Sequence, residues 1–263
     1  MPQAKTDQRR GGSEILFGVH SVRESIRAGR RKIFEVYALG SKGSRNRELI
    51  DQALSKGIPV KSMEIERLQA AVQSNRHQGI GALVGPYPFS ELSQVLSGFP
   101  GKIAPPFLLL LDSVVDPQNL GALARTALCA GVDGIFIPKD RSASPTPAVS
   151  RASAGALEHA RLVRITNLTA TITDLKKKGL WIIGLDAGSS QSIFSTDLTV
   201  PLSLVIGGEE KGIRPLVKKN CDLVVSIPQS GVIGSLNAAA AGAVAMYEVY
   251  RQRAESSKLK AES

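Results

Sequence analysis

A single arginine interrupts a run of otherwise small and apolar residues: Arg125 in "DPQNLGALARTALCAG", residues 116–131. A guanidinium keeps its proton at any physiological pH, so it offers a fixed cation and a planar fork of donors to phosphate or carboxylate oxygens. Its helical neighbours Gly121, Ala122, Leu128 and Cys129 are mostly small and leave room for a ligand to reach it. The competing reading is a side chain that snorkels to solvent. In the same stretch Asn119 falls where the helix N-cap is expected, its side chain free to satisfy a backbone amide.

Two further segments carry polar groups at the ends of apolar runs. In "LVIGGEEKGIRP", residues 204–215, the glycines Gly207, Gly208 and Gly212 permit a tight turn and close approach of backbone to a ligand, with Glu209 placed beside them. In "IPQSGVIGSLNAAAAGAVAMYEVY", residues 227–250, Ser235 or Asn237 caps an Ala-rich helix that is apolar nearly all round and so is expected to be buried. Capping side chains and exposed first-turn amides can also hold a ligand's polar groups. For each segment taken alone, an ordinary strand–turn–helix remains an equal reading.

The elements that must position these groups read as α/β. "KIFEVYAL", "IPVKSM" and "GIGALVGPY" are strand-like, and they alternate with helical patterns at 22–28, in "NRELIDQALSKG" and in "EIERLQAAV". This small unit closes near Tyr87. Four prolines and two glycines in "PFSELSQVLSGFPGKIAPP" read as a linker. Beyond it "FLLLLDSV", "GIFIP", "LWIIGLD", "LSLVIGG" and "LVVSIP" are apolar on both faces, as strands of a covered parallel sheet are. All three polar segments then lie at strand ends, where open α/β sheets place their ligands. The expected division is a loose N-terminus at 1–13, a front domain at 14–88, a linker at 89–106, a back domain at 107–253 and a polar tail at 254–263.

Charge narrows the partner. The 263 residues carry a formal net charge of +10. Residues 1–104 hold 16 Lys or Arg against 9 Asp or Glu, and residues 105–263 hold 17 against 14. An acidic partner, nucleic acid first, would meet the front domain. Arg27, Arg30, Arg31, Lys32, Lys42, Arg45 and Arg47 stand in or beside its expected loops, either as phosphate contacts or as a solvated surface. Two distant cysteines and three scattered histidines offer no metal-ligand spacing. No apolar run approaches the roughly 20 residues of a membrane span, and the first residues lack the apolar core of a signal peptide, which makes the cytoplasm the default. No G-x-G-x-x-G follows a strand, and no Walker A sequence is present.

The three segments, in this order and spacing, with "IPKDRSASPTPAVSRASAGALEH" between the first two, resemble the motifs of the SpoU/TrmH family of RNA ribose methyltransferases across 107–253. In the front domain "FGVHSVRESI" and "RHQGIGALV" are similar to the substrate-binding domain of large-subunit rRNA guanosine 2′-O-methyltransferases. One departure is "SLNAAAAG", where family members more often carry a Val-Ser pair after the Asn; it alters helix packing and leaves the polar residues in place. The resemblance implies a parallel-sheet methyltransferase domain with a C-terminal trefoil knot, preceded by a small α/β RNA-binding domain. It implies a homodimer whose active sites draw on both subunits, and S-adenosylmethionine held by loops around Gly207, Gly208, Ile227 and Leu236. It further implies ribosomal RNA as substrate and Asn119, Arg125, Glu209, Ser235 and Asn237 as the polar active-site set. The chemistry would be in-line attack of a ribose 2′-oxygen on the sulfonium methyl. Family accounts that make the arginine a general base sit poorly with a pKa above roughly 12; a phosphate contact by Arg125, with proton loss through water or Glu209, is the easier route. Two alternatives stay open: the same reaction on transfer RNA, and a non-catalytic RNA-binding assembly factor with this fold.

Overall fold

The computed structural model describes residues 12–40, 46–101, 104–231 and 234–262. The chain divides into two compact units, Met1–Pro88 with Pro145–His159, and Phe89–Ser144 with Ala160–Ser263. Elements are numbered along the chain.

The first unit is built on β1 (Glu14–Phe17), β2 (Ile33–Leu39), β3 (Val60–Met63) and β4 (Ile80–Val84), with α1 (Val19–Ala28), α2 (Arg47–Ser55), α3 (Ile65–Val72) and, from the later segment, α6 (Pro147–Ala152). The sheet order is β1-β4-β2-β3; β4 runs antiparallel to both its neighbours and β3 parallel to β2. Alternate residues of the strands (Leu16, Val36, Ile80, Ala82, Val84) meet Val22 and Ile26 of α1 and Leu49 and Ala53 of α2 in one apolar core. Gly29 ends α1 in the left-handed conformation at φ 62°, which a residue without a Cβ adopts at little cost.

Residues 145–159 were expected to belong wholly to the back domain, but their packing is with this first unit. A Cβ on Gly155 would fall 2.7 Å from both the Glu24 Cβ and the His20 carbonyl oxygen, so only glycine lets the segment lie this close to α1. His159 Nε2 meets Glu24 Oε2 at 2.9 Å, and the Tyr87 hydroxyl donates to the Leu157 carbonyl at 3.2 Å. Beneath them Arg31 lies between Glu14 (3.2 Å) and Glu158 (3.7 Å), its side chain 1% exposed. Burial without full pairing is costly for all three groups, and it raises the pKa of both carboxyls in spite of the arginine.

In the second unit six strands, all parallel, follow the order β10-β8-β9-β5-β6-β7. They are β5 (Phe107–Asp112), β6 (Gly134–Pro138), β7 (Leu162–Ile165), β8 (Trp181–Leu185), β9 (Leu202–Gly207) and β10 (Leu223–Val225). Every residue of β5 is buried, as a central strand covered on both faces requires. The short β7, "LVRI", was not foreseen. Helices α4 (Leu92–Leu96), α5 (Pro117–Cys129), α7 (Leu168–Lys177), α8 (Pro215–Lys219) and α9 (Ala238–Glu262) complete the unit.

Two boundaries differ from expectation. Residues 89–101 are not a free linker: a capping box of Glu91 and Gln94 starts α4, and Val95, 1% exposed, joins the main core with Leu108, Leu110 and Phe136. The expected polar tail continues α9 as far as Glu262. Arg253 of that helix donates to the carbonyls of Pro105, Pro106, Leu198 and Val200, so a guanidinium inside the helix end ties down two loop ends. The expected loose N-terminus falls, up to residue 11, outside the described residues.

Candidate active site

The site starts from a register. Asp112, the last residue of β5, is paired with Gly207, the last of β9. Asp112 is fully buried and needs partners; the Arg214 backbone N–H donates to its Oδ2 at 2.8 Å and the Arg214 Nε to its Oδ1 at 2.6 Å. That pair folds the loop after β9 back over the strand ends. Close backbone packing completes the turn. A Cβ on Gly207 would lie 2.1 Å from the Gly212 carbonyl carbon, and one on Gly208 would lie 2.2 Å from the Ser113 carbonyl oxygen. Ser113 itself holds φ 66°, a strained value for a residue with a side chain.

Three polar side chains from the three sequence segments meet beside this turn. The Asn119 Nδ2 donates to Glu209 Oε1, and the Asn237 Nδ2 donates to Asn119 Oδ1 at 3.0 Å. Asn237 Oδ1 accepts from the backbone N–H groups of Ala239 (2.9 Å) and Ala240 (3.2 Å), which makes it the cap of α9. The chain of bonds has one sense, from a helix N-terminus through two amides to a carboxylate. Only side chains that both donate and accept can fill its two middle places. Asn119 is not the cap of α5, as the sequence suggested; Asp116 takes that role by accepting from the Gln118 N–H, with Pro117 in the first turn. Asn119 sits one turn in and is buried, 7% exposed. Packing holds the helices that carry these residues together: Gly242 of α9 lies so near Leu123 of α5 that an added Cβ would be 2.4 Å from its Cδ2.

A cleft of about 290 Å³ opens at the C-terminal ends of β8 and β9. Gly207, Gly208, Glu209, Ile227, Ser235 and Leu236 all line it, together with Leu185, Asp186, Glu210 and Gln229, which the sequence reading did not single out. Lys218 bonds Asp186 at 2.9 Å and holds its carboxyl below the usual carboxylate range. The lining therefore mixes apolar side chains, glycine backbone and carboxylates. A strand-terminal acid such as Asp112 or Asp186 could have been flagged earlier, because a charge closing an apolar strand has to find a partner.

Arg125 stands apart from this constellation. Six residues at 3.6 per turn place it about 120° around α5 from Asn119. It is exposed, lines no part of the cleft and has no hydrogen bond or ion pair among the described residues. Leu128, one turn on, is 43% exposed, and α9 presents Tyr247 and Tyr250 at 51% each, which corrects the expectation of a fully buried helix.

The front-domain cations sort unevenly. Arg31 is buried between two carboxylates and cannot reach a phosphate, which removes it from the expected RNA contacts. Arg27 pairs with Glu24 at 3.2 Å, and Arg30 donates to the Pro88 carbonyl at 3.2 Å and lies over the Tyr87 ring. Lys32 and Arg47 are exposed, the first 5.2 Å over Phe34. Lys42 and Arg45 lie outside the described residues.

Sequence comparison decides the family. Residues 106–247 match the model of the SpoU rRNA Methylase family, and residues 15–90 match that of the RNA 2′-O ribose methyltransferase substrate-binding domain. The chain belongs to the SpoU methylase family. It is 37% identical over 241 residues to YacO of Bacillus subtilis, a protein that carries a TrmH family tRNA/rRNA methyltransferase name, covering 91% of this chain and 96% of that one. The fold matches the crystal structure of the SpoU methyltransferase AviRb from Streptomyces viridochromogenes in complex with AdoMet, at a TM-score of 0.77, 24% identity and 95% of each chain. A structure concerned with 2-OH methylation of C/U34 on tRNA covers 57% of this chain and 97% of its own, at 27% identity and a TM-score of 0.52.

Proposed function

We propose that this SpoU methylase transfers a methyl group from S-adenosylmethionine to a ribose 2′-hydroxyl of RNA, in a guanosine of large-subunit ribosomal RNA. The observation that carries the reading is the Glu209–Asn119–Asn237 chain beside a cleft at the strand ends. A non-catalytic scaffold has no need of three aligned polar side chains there. The residues present suit the cofactor: Ile227 and Leu236 offer apolar surface to adenine, the Gly207–Gly208 backbone permits close approach, and Glu209 and Glu210 bring negative charge towards a sulfonium. Bound there, S-adenosylmethionine would supply an already activated methyl group.

The protein's share is then orientation and charge. Asn119 and Asn237 fix Glu209, whose second carboxylate oxygen has no partner among the described residues and can take a proton directly or through water. Ser235, at the mouth of the cleft, offers a hydroxyl to the cofactor or ribose. Arg125 keeps its proton and meets a phosphate or ribose oxygen, positioning the hydroxyl for in-line attack. Its place on α5, off the cleft of its own chain, favours a homodimer in which each active site takes Arg125 from the other subunit. The exposed Leu128, Tyr247 and Tyr250 supply apolar surface for such an interface. The strand order favours a trefoil knot: β9 inserts between β8 and β5, and the segment after β10 then returns to the first turn of α5, where Asn237 bonds Asn119.

Ribosomal RNA is preferred to transfer RNA because the tRNA-related structure matches little more than half of this chain, while residues 15–90 form an additional substrate-binding domain. The front-domain phosphate contacts retained in this reading are Arg27, Arg30, Lys32, Arg45 and Arg47. The deciding experiment pairs calorimetric titration of S-adenosylmethionine with methyl transfer to ribosomal and transfer RNA. Arg125→Ala should abolish transfer and leave cofactor affinity within a few-fold of wild type; full turnover in that variant removes Arg125 from the mechanism.

A further inference from the structure

The first unit contains a second cavity, of about 480 Å³, at the start of α1. We propose that it holds a backbone phosphate of the RNA substrate; this rests on the RNA reading above and gives the front domain a defined contact.

The lining is cationic and rich in donors, with Ser21, Arg76, Gln78 and Arg151 among its residues and no Asp or Glu. Arg151, from α6, lies 5.5 Å over the Phe17 ring, which fixes its guanidinium plane and leaves the donor edge unclaimed: neither it nor the Arg76 side chain has a carboxylate partner among the described residues. The nearby acid, Glu24, is already engaged by Arg27 at 3.2 Å and His159 at 2.9 Å. Two fixed cations without counter-charge in one cavity call for an anion.

Two further features give the site its donors. Ser21 is 1% exposed and lines the cavity, which places its hydroxyl among the polar groups a ligand there would meet. Gln78 accepts from the Val19 N–H at 2.9 Å through its Oε1, so its amide nitrogen remains a donor. α1 begins here at Gly18, which has no side chain of its own to cap it; Gln78 takes the Val19 N–H, and the helix dipole favours an anion at this end. Gln78 and Ala154, both in the lining, hold positive φ, 54° and 52°. A cavity of this size admits a phosphate with part of its nucleotide. A phosphate contact anchors the RNA without reading its sequence.

The test uses the full-length protein and a short unstructured oligoribonucleotide, without cofactor, titrated over a range of salt. Arg76→Ala, Arg151→Ala and the double variant should each weaken binding several-fold, and the log–log salt slope should fall by about 0.7 for each phosphate released. With ribosomal RNA as methyl acceptor, KM should rise while kcat holds. Unchanged affinity and slope in the double variant would overturn the proposal, as would weaker binding at an unchanged slope, which marks a structural role. Arg76 lies on an exposed loop, so its single variant stays informative if replacing Arg151 impairs folding. Because binding is read without turnover, a wild type that binds RNA with the expected slope yet transfers no methyl group refutes the enzymatic reading and leaves this one standing.

Discussion

The Asn237 side chain faces two ways: its Nδ2 donates to Asn119 Oδ1 at 3.0 Å while its Oδ1 accepts from the first-turn amides of α9. Capping and site geometry are thus one interaction set, and substitution can separate them. Asn237→Asp keeps an N-cap and suits the helix dipole, but it loses the donor and turns a carboxylate oxygen towards Asn119. Stability should stay near wild type while methyl transfer falls about tenfold or more, roughly 1.4 kcal/mol in the barrier. Asn237→Ala should also lose about 1 kcal/mol of stability with the cap. Thermal melting alongside an initial-rate assay reads both; equal activity in wild type and Asn237→Asp would show that the bond to Asn119 is structural only.

Arg125 and Glu209 lie on different parts of one chain's surface, so subunit mixing can show whether one site draws on two chains. Arg125→Ala and Glu209→Ala should each be inactive alone. Unfolded together and refolded as a mixture, they should regain measurable methyl transfer, because one site of each heterodimer combines the intact halves. No recovery in a mixture shown to contain heterodimers would place Arg125 and Glu209 in the same chain's site.

The site was more legible than the boundaries around it. Asn119, Glu209 and Asn237 were singled out as polar groups in segments that follow apolar strands, each with an equal structural reading, and only the family resemblance joined them; the structure brings their side chains together. Asn119 was assigned to the wrong place in its helix, although Asp116–Pro117 is itself a cap followed by a first-turn proline and could have been read so. The linker misreading has a similar cause: prolines and glycines signalled a loop, while Val95 carries the short helix into the core, with Leu92, Leu96 and Phe99 packed against it. Periodicity could not show that residues 145–159 pack on the first unit. That placement depends on the missing Cβ of Gly155 and on charges more than a hundred residues apart. Arg31 looked like its basic neighbours in sequence; only its partners Glu14 and Glu158 set it apart.

Gly208 is held to a single residue type by contact and not by dihedral angle. Its N–H donates to the Asp112 carbonyl at 2.8 Å, and a Cβ would meet the Ser113 carbonyl oxygen at 2.2 Å. Gly208→Ala must push β9 away from the loop after β5, at a cost of about 1–3 kcal/mol. The cleft sits on that turn, so cofactor affinity should fall as well. A denaturant midpoint and a binding titration check the two effects; wild-type values for both would mean that the backbone moves freely here.

The two cysteines should react very differently. Cys129 is exposed, whereas burial pushes the Cys221 thiol up to about 11, with its Sγ against the Val217 carbonyl at 3.5 Å. Thiolate is the reactive form, so alkylation of the native protein near neutral pH should label Cys129 first and leave Cys221 until unfolding. Peptide mass mapping after brief treatment reads the order, and equal labelling of the two would contradict the burial of Cys221.

The Arg31 cluster sets a pH dependence of definite sign. Burial raises the carboxyls of Glu14 and Glu158 above their ordinary 4.5, and Arg31 is the main group opposing that shift. A group whose pKa is raised on folding binds protons more tightly in the folded state. Its contribution to stability is therefore present below about 4.5 and lost as pH climbs through the folded pKa. Arg31→Ala removes the compensating cation and should raise both carboxyls further. Relative to wild type, its stability should then fall more steeply as pH rises from the ordinary carboxyl value towards neutrality. Glu158→Gln removes one titrating group and should make that fall shallower. Denaturant unfolding across this range measures the difference, and an Arg31→Ala curve parallel to wild type would show that the two carboxyls do not sense the arginine.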